Sequence, residues 1–141
     1  MPNPVFFIYG IPELKKALLD IARAVPKVVA DALYEEAKIE MKEAKKRTPV
    51  SEKGSDGMPP GTLRNSGDIV KWDGKDPEDI RVILTFGVPI PHYAVYVHED
   101  LEAFHKVGQA KFLESTLLES ASHIEDRVAR RIHMNRWAGK K

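Results

Sequence analysis

Residues 27–47 read KVVADALYEEAKIEMKEAKKR, and this stretch decides the fold. It consists almost entirely of strong helix formers, and Thr48-Pro49 ends the run. Pro26 can either start a new helix here or kink one that continues from the preceding residues. At about 100° per residue, most of its apolar side chains fall into one stripe. The members of that stripe are Ala30, Leu33, Tyr34, Ala37, Met41 and Ala44. The pattern therefore predicts a long helix with one face packed on a core.

A second, thinner apolar stripe lies almost opposite the first and consists of Val28, Ala32 and Ile39. Charged residues, among them Glu36 and Glu40, fill the flanks between the two stripes. A surface helix of a monomer normally has one stripe, so two indicate packing on both sides. Either a neighbouring molecule covers the second stripe, or the C-terminal helix of the same chain does.

The other elements follow from periodicity and from turn residues. Val5 to Tyr9 is short, aromatic and β-branched, which predicts an edge strand or an apolar arm that Gly10 ends. The remaining predicted elements are a helix from Pro12 to Val25, strands at 69–72, 80–86 and 93–97, and a helix from Gln109 to about Met134.

This order predicts an α+β fold. We expect a small antiparallel β-sheet of about three to five strands, a meander, covered on one face by a long N-terminal helix and a C-terminal helix. The chain is expected to form a single domain over residues 1–141. Its predicted appendages are an N-terminal arm at 1–10, a flexible loop at 48–62 rich in Pro, Gly and Ser, and a basic C-terminal tail at 134–141.

Composition excludes several classes of function. The chain has 141 residues and no cysteine, which removes disulfides, thiolate catalysis and cysteine-ligated zinc. Its 22 basic and 21 acidic residues nearly cancel, whereas a dedicated nucleic-acid binder is usually markedly basic. The longest uncharged stretch, from Met1 to Pro12, is too short to span a bilayer and lacks the positive start of a secretory signal, so we expect no membrane association.

Few residues suggest chemistry. His98, Glu99 and His105 form an H-E-x₅-H run, which suggests a metal site only superficially. The zincin motif needs two histidines four residues apart on a helix, and here they are seven apart. A metal site would also need a further ligand, either His92 or Asp100. Ser66 lies outside a nucleophile elbow, and neighbouring carboxylates such as Glu35 and Glu36 are more typical of solvated charges. The glycines match no phosphate-binding loop. We expect no catalytic residues, no metal site and no cofactor.

Five segments in order resemble the minor-capsid or tail-completion family of long-tailed bacteriophages, which joins head to tail. They are Gly10-Ile11-Pro12-Glu13-Leu14 before the long helix, Lys45-Lys46-Arg47-Thr48-Pro49-Val50, Gly61-Thr62-Leu63-Arg64-Asn65-Ser66, Tyr93-Ala94-Val95-Tyr96-Val97-His98-Glu99 and Gln109-Ala110-Lys111-Phe112-Leu113-Glu114. The resemblance covers roughly residues 6 to 125. Two departures are the expansion between Val50 and Gly61 and the His98-Glu99-Asp100-Leu101 sequence after the tyrosine segment.

The resemblance implies a structural virion protein without catalysis, located in the neck or upper tail and assembled in the bacterial host cytoplasm. It also implies a homo-oligomeric ring, commonly sixfold, that contacts other neck, connector or tail proteins. Candidate subunit contacts are Phe6, Phe7 and Tyr9 of the arm and Val28, Ala32 and Ile39 of the second stripe. Candidate contacts of the loop with a neighbouring ring are Pro49, Met58, Pro59 and Leu63.

Two other functions stay open. A ring of this kind could instead act as a tail terminator that caps the tail tube and fixes its length. From a different class, the chain could be a small non-specific DNA-binding domain, or its ring could contact packaged DNA in the lumen. The candidate DNA-facing charges are Lys42, Lys45, Lys46, Arg47, Arg130 and Arg131, which also suit the negative ends of their helices.

Overall fold

The computed structural model describes residues 5–7, 16, 26–54, 57–88 and 91–138. Three short strands form one sheet, namely β1 (Val5–Phe7), β2 (Asp68–Val70) and β3 (Ile83–Thr85). Their order is β1-β3-β2, and both pairings are antiparallel. The predicted edge strand at the N-terminus is confirmed for these three residues. The predicted helix from Pro12 to Val25 lies outside the described residues except for Lys16.

Four helices with described bounds accompany the sheet, and they are α1 (Pro26–Arg47), α2 (Thr62–Asn65), α3 (Pro91–Glu99) and α4 (Phe112–Ala138). The bounds of α1 match the stretch of helix formers, and Thr48 ends it with a buried hydroxyl that donates to the Ala44 carbonyl at 2.8 Å. Helix α4 packs along α1 in the opposite direction. Within the described part of the chain, no helix is long and apolar enough to cross a membrane.

The apolar interior has two clusters. The larger one joins one face of α1 to β3, α3 and the start of α4, and it includes Met41, Leu84, Phe86, Phe112 and Leu113. Phe86 and Phe112 meet edge to face, with 5.0 Å between ring centroids. The smaller cluster joins the first half of α1 to the second half of α4; its buried members are Val29, Ala32, Ile124, Val128 and Ile132. The fold is therefore α+β, as predicted.

One predicted strand is wrong. Residues 93–97 belong to helix α3, and the sheet takes its third strand from the N-terminus instead of from a continuing meander. Ala94, Val97 and His98 are buried whereas Val95 and Tyr96 are exposed, which is the spacing of one helical face. Tyr-Ala-Val-Tyr-Val fits either period over so few residues, and Pro91 suits the first turn of a helix.

The segment Gly61-Thr62-Leu63-Arg64-Asn65-Ser66 is a structural junction. Gly61 has a φ of +83°, which favours glycine, and it begins the single turn α2. The Ser66 hydroxyl donates to the Leu63 carbonyl at 2.6 Å and accepts the Gly87 N–H at 2.9 Å. Arg64 Nη2 donates to the Thr48 carbonyl at 3.0 Å. This segment therefore joins the end of α1 to the end of β3.

Candidate interaction surface

The loop between α3 and α4, residues 100–111, begins and ends at neighbouring points of the fold. The Lys111 N–H donates to the His98 carbonyl at 2.7 Å, and the Gln109 N–H donates to the Arg47 carbonyl at 2.8 Å. Lys111 Nζ also lies 2.5 Å from Glu99 Oε2. Compact surface loops whose ends meet in this way are frequently functional. We call residues 100–111 the Ω loop.

The interior of the Ω loop is also fixed by contacts made to its own backbone. Asp100 Oδ1 accepts the N–H groups of Glu102 at 3.0 Å and Ala103 at 3.2 Å, which makes a tight turn. Gly108 has a φ of +85°, and a Cβ built on it would lie 2.5 Å from the nitrogen of Pro49. Glycine is required there because the loop backbone packs directly on the end of α1.

The Ω loop holds apolar side chains in solvent. Phe104 is 90% exposed, Leu101 75% and Val107 45%. Tyr96 precedes the loop on the outer side of α3 and is 66% exposed. Scattered apolar residues are normal on a surface, but several within one stretch indicate an interaction site. The sequence analysis does not identify these residues, although it notes the His98-Glu99-Asp100-Leu101 sequence as a departure from the family pattern.

The second loop, residues 48–61, lies beside the Ω loop, and Lys106 makes an ion pair with Glu52 across the two. The prediction that Leu63 contacts a neighbouring ring is wrong, because this side chain is buried in the larger cluster. Pro49 is also buried, whereas Met58 is half-buried and Pro59 exposed. All four line one shallow pocket together with Tyr93.

The second stripe of α1 is mostly covered by the chain itself. Ala32 is fully buried against α4, and Val28 is half-buried on the same cluster. The assignment of Ala32 to a subunit contact is therefore wrong, and the alternative of a covering C-terminal helix is confirmed there. Ile39 remains 39% exposed. Phe6 and Phe7 lie in β1, and Tyr9 lies outside the described residues.

The candidate DNA-facing charges divide into two groups. Three are paired with carboxylates: Lys46 with Glu43 at 2.5 Å, Arg47 with Glu119 at 2.5 Å and Arg131 with Glu36 at 3.6 Å. Lys42 and Arg130 are exposed and Lys45 is half-buried, and none of them forms an ion pair with another described residue. The pairing reduces the charge that the two helix ends can offer to phosphates.

Between α1 and α4 lies a buried charge network that the sequence analysis missed. The side chains of Glu36 and Glu40 are 3% and 1% exposed. Arg127 reaches both, with Nε 2.5 Å from Glu36 Oε1 and Nη2 2.7 Å from Glu40 Oε1. Arg131 Nε lies 3.6 Å from Glu36 Oε2. Glu36 is therefore a buried, paired carboxylate, and its assignment to solvated charges is wrong.

Burial is the main influence on the ionisation of Glu40. It raises the pKa of Glu40 above its ordinary value, while a hydrogen bond from Ser120 and the charge of Arg127 act in the opposite direction. The nearby charge of Glu36 raises it further. The signal in the sequence was the matched spacing of the two carboxylates and the two arginines, each pair four residues apart and so on one helical face.

His98 and Glu99 come together with Glu114, and their possible ligand atoms lie within 4.8 Å of one another. His98 Nδ1 contacts Glu99 Oε1 at 2.7 Å, and its Nε2 accepts the Glu114 N–H at 3.4 Å near the start of α4. Lys111 Nζ lies 2.9 Å from Glu114 Oε2 as well as against Glu99. The ammonium and His98 lower the pKa of Glu99. His105 is not part of this group.

These contacts give the group a structural use. A metal ion at this position would have to displace the Lys111 ammonium, which already neutralises the two carboxylates. The buried His98 ring also packs edge to face on Phe112, with 5.0 Å between centroids. The group therefore ties α3, the Ω loop and the start of α4 together.

Comparisons with known proteins found no matching family model, no similar curated protein and no similar solved structure.

Proposed function

We propose that the protein is a structural subunit of a ring at the head–tail junction of a tailed bacteriophage. One observation supports this most: the Ω loop is tied at both ends and still holds Leu101, Phe104 and Val107 outside the core. Ordering a loop costs conformational entropy, and exposing apolar side chains adds no stability to the isolated subunit. A protein–protein contact gives this arrangement a use.

Four of the five segments that resemble the phage family lie around this surface, and the first, Gly10 to Leu14, lies outside the described residues. Thr48 and Pro49 end α1 beneath the Ω loop, Gly61 to Ser66 joins that end to the sheet, and residues 93–99 form α3 in front of the loop. Phe112 and Leu113 fix the start of α4 in the larger cluster. The resemblance and the geometry therefore direct attention to the same end of the molecule.

The proposed mechanism is assembly without turnover. In a closed ring one patch of each subunit meets a different patch of the next, so every subunit makes two contacts. A single contact can then be weak, because closure of the ring raises the effective concentration of the last partner. Such a ring would sit in the virion between the neck or connector proteins and the tail proteins.

The DNA-binding alternative is less well supported. Three of its six candidate cations are already paired with carboxylates. Duplex binding by the monomer at micromolar concentration, weakening steeply with salt, would favour it. Replacing both Lys42 and Arg130 by glutamine should then abolish duplex binding.

The first test is electron microscopy of a phage lysate in which this gene is silenced. Filled heads beside free tails of normal length would support a joining role, whereas overlong tails would identify a tail terminator. A plasmid copy of the gene should restore infectious particles and serves as the control. Intact infectious particles without the protein would contradict both roles and return the question to DNA binding.

A further inference from the structure

The exposed patch at the Ω loop carries negative charge beside its apolar side chains. Residues 95–107 contain Glu99, Asp100 and Glu102 against a single Lys106. Glu99 is paired with Lys111, and Asp100 holds the turn of the loop, which leaves Glu102 beside Leu101. We call the exposed Tyr96, Leu101, Glu102 and Phe104 the acidic patch.

A second surface has the opposite charge. Ile39, Lys42 and Lys46 follow one another at i, i+3 and i+7 on α1, which places them on the same side of the helix. All three are exposed, and Ile39 is an apolar residue that α4 leaves uncovered. Two carboxylates on the same side of α1 are paired with lysines, Glu35 with Lys38 and Glu43 with Lys46, so Lys42 is the cation of this surface without a carboxylate partner among the described residues. We call these three residues the basic face.

We propose that the acidic patch of one copy docks on the basic face of the next copy. Charge decides the choice of partner: two acidic patches would repel each other, whereas the acidic patch and the basic face attract. Each surface offers an exposed apolar residue, Phe104 on one and Ile39 on the other. The contact joins two different patches, so each copy can contact two neighbours, and repetition in one direction produces a ring or a filament.

The area agrees with a contact that is weak by itself. Phe104 and Tyr96 at their observed exposures offer roughly 300 Å² of surface. A stable pair of proteins usually needs about 800 Å² on each partner. Copies of this chain are therefore expected to associate weakly in pairs and to gain stability when a ring closes. This inference rests on the proposed ring function and names the contact between its subunits.

Disulfide trapping tests the contact directly, because the chain has no natural cysteine. Phe104→Cys and Ile39→Cys variants of the full chain would be mixed under mild oxidation with oxidised glutathione, one of them carrying a size tag. We expect the mixed dimer to form about tenfold faster than either homodimer. The matched control replaces Ile39→Cys by Leu118→Cys, whose parent side chain is 68% exposed on α4.

The outcomes distinguish this contact from the ring function. Equal rates for the two mixtures, or fastest formation of Phe104→Cys homodimers, would overturn the proposed docking. If trapping fails while gene silencing still separates heads from tails, the ring function stands and its contact lies elsewhere. Circular dichroism of each variant establishes that it is folded before rates are compared.

Charge reversal gives a second, independent measurement. Glu102→Lys and Lys42→Glu should each weaken association about tenfold at low salt in sedimentation experiments, because each creates like charges across the contact. Combining both in one chain should restore association. Lys75→Glu is the control, since Lys75 is 84% exposed outside both surfaces and its replacement reverses the same charge as Lys42→Glu. Failure of the double variant to recover would contradict the pairing.

Discussion

Replacement of Arg127 by methionine should destabilise the protein strongly. The guanidinium is the cation closest to two nearly inaccessible carboxylates, at 2.5 Å from Glu36 and 2.7 Å from Glu40. Its loss leaves Glu40 without a cation within 4.0 Å among the described residues, whereas Glu36 keeps Arg131 at 3.6 Å. Breaking a buried pair from one side costs roughly 3–5 kcal/mol.

We expect about 3 kcal/mol for this substitution, at the lower end of that range, because Arg127 is 34% exposed and water can enter when it is removed. The methionine keeps most of the aliphatic contact, so the loss reports mainly on charge. Urea unfolding followed by circular dichroism measures it, and single domains of this kind have only about 5–15 kcal/mol in total. Arg130→Met, on the exposed side of α4, is the control and should change stability by under about 0.5 kcal/mol.

The stability lost in the Arg127→Met variant should also depend on pH, in a direction that follows from the pKa of Glu40. Burial already raises the pKa of Glu40, so ionised Glu40 opposes folding, and this opposition disappears as the pH falls through the raised pKa. Without Arg127 the pKa rises further, and the deficit of the variant should shrink between neutral and mildly acidic pH. Adding Glu40→Gln should recover about 1–2 kcal/mol at pH 7. A deficit equal to that of Arg130→Met, or strict additivity of the two substitutions, would refute the network.

Three further predictions concern the frame of the Ω loop. Gly108→Ala should lower stability by about 2–3 kcal/mol, because a positive φ and a close backbone contact combine at this position. The control is Gly74→Ala, which has a positive φ but nothing within 4 Å and should cost about 1 kcal/mol. Thermal unfolding compares the two variants, and equal losses of stability would contradict close packing at Gly108. Ser66→Ala removes two hydrogen bonds and should cost about 1–2 kcal/mol in urea unfolding, and no loss would contradict the junction. Lys111→Gln should move the lowered pKa of Glu99 back toward its ordinary value in an NMR titration. Since stability from a lowered carboxylate pKa is present above the unfolded value and lost on acidification, this variant should lose less stability in acid than the wild type.

The parts of the fold that follow from long-range periodicity could be predicted from the sequence. Helix α1 has 22 residues, and its bounds agree with the stretch of helix formers, because many turns repeat the same pattern. The buried Val82, Leu84 and Phe86 likewise confirm the alternation around β3. Over five residues, as at 93–97, a helical and an extended pattern coincide, and only packing against the larger cluster decides between them.

The charged residues could not be assigned from one helix alone. Glu36 and Glu40 read as an ordinary polar flank of α1 until Arg127 and Arg131 of α4 are placed opposite them. Glu40 and Arg127 are 87 residues apart in the sequence. They pair only because α1 and α4 pack antiparallel, and no local sequence pattern predicts that packing. The matched spacing of four is a usable signal only once both helices are expected to touch.

The two halves of the α1–α4 packing have different consequences for assembly. A buried charge that loses its partner raises the free energy of the folded state strongly. The charge network between α1 and α4 therefore favours this packing of the two helices over alternatives that would leave its charges unpaired. The start of α4 instead holds the Ω loop, whose exposed Phe104 gains most when a partner covers it. A chain organised in this way keeps its own fold independent of its neighbours and presents Phe104, at 90% the most exposed large apolar side chain among the described residues, on one loop. That separation lets a contact be weak enough to form reversibly while the subunit stays folded, which is what stepwise closure of a ring requires.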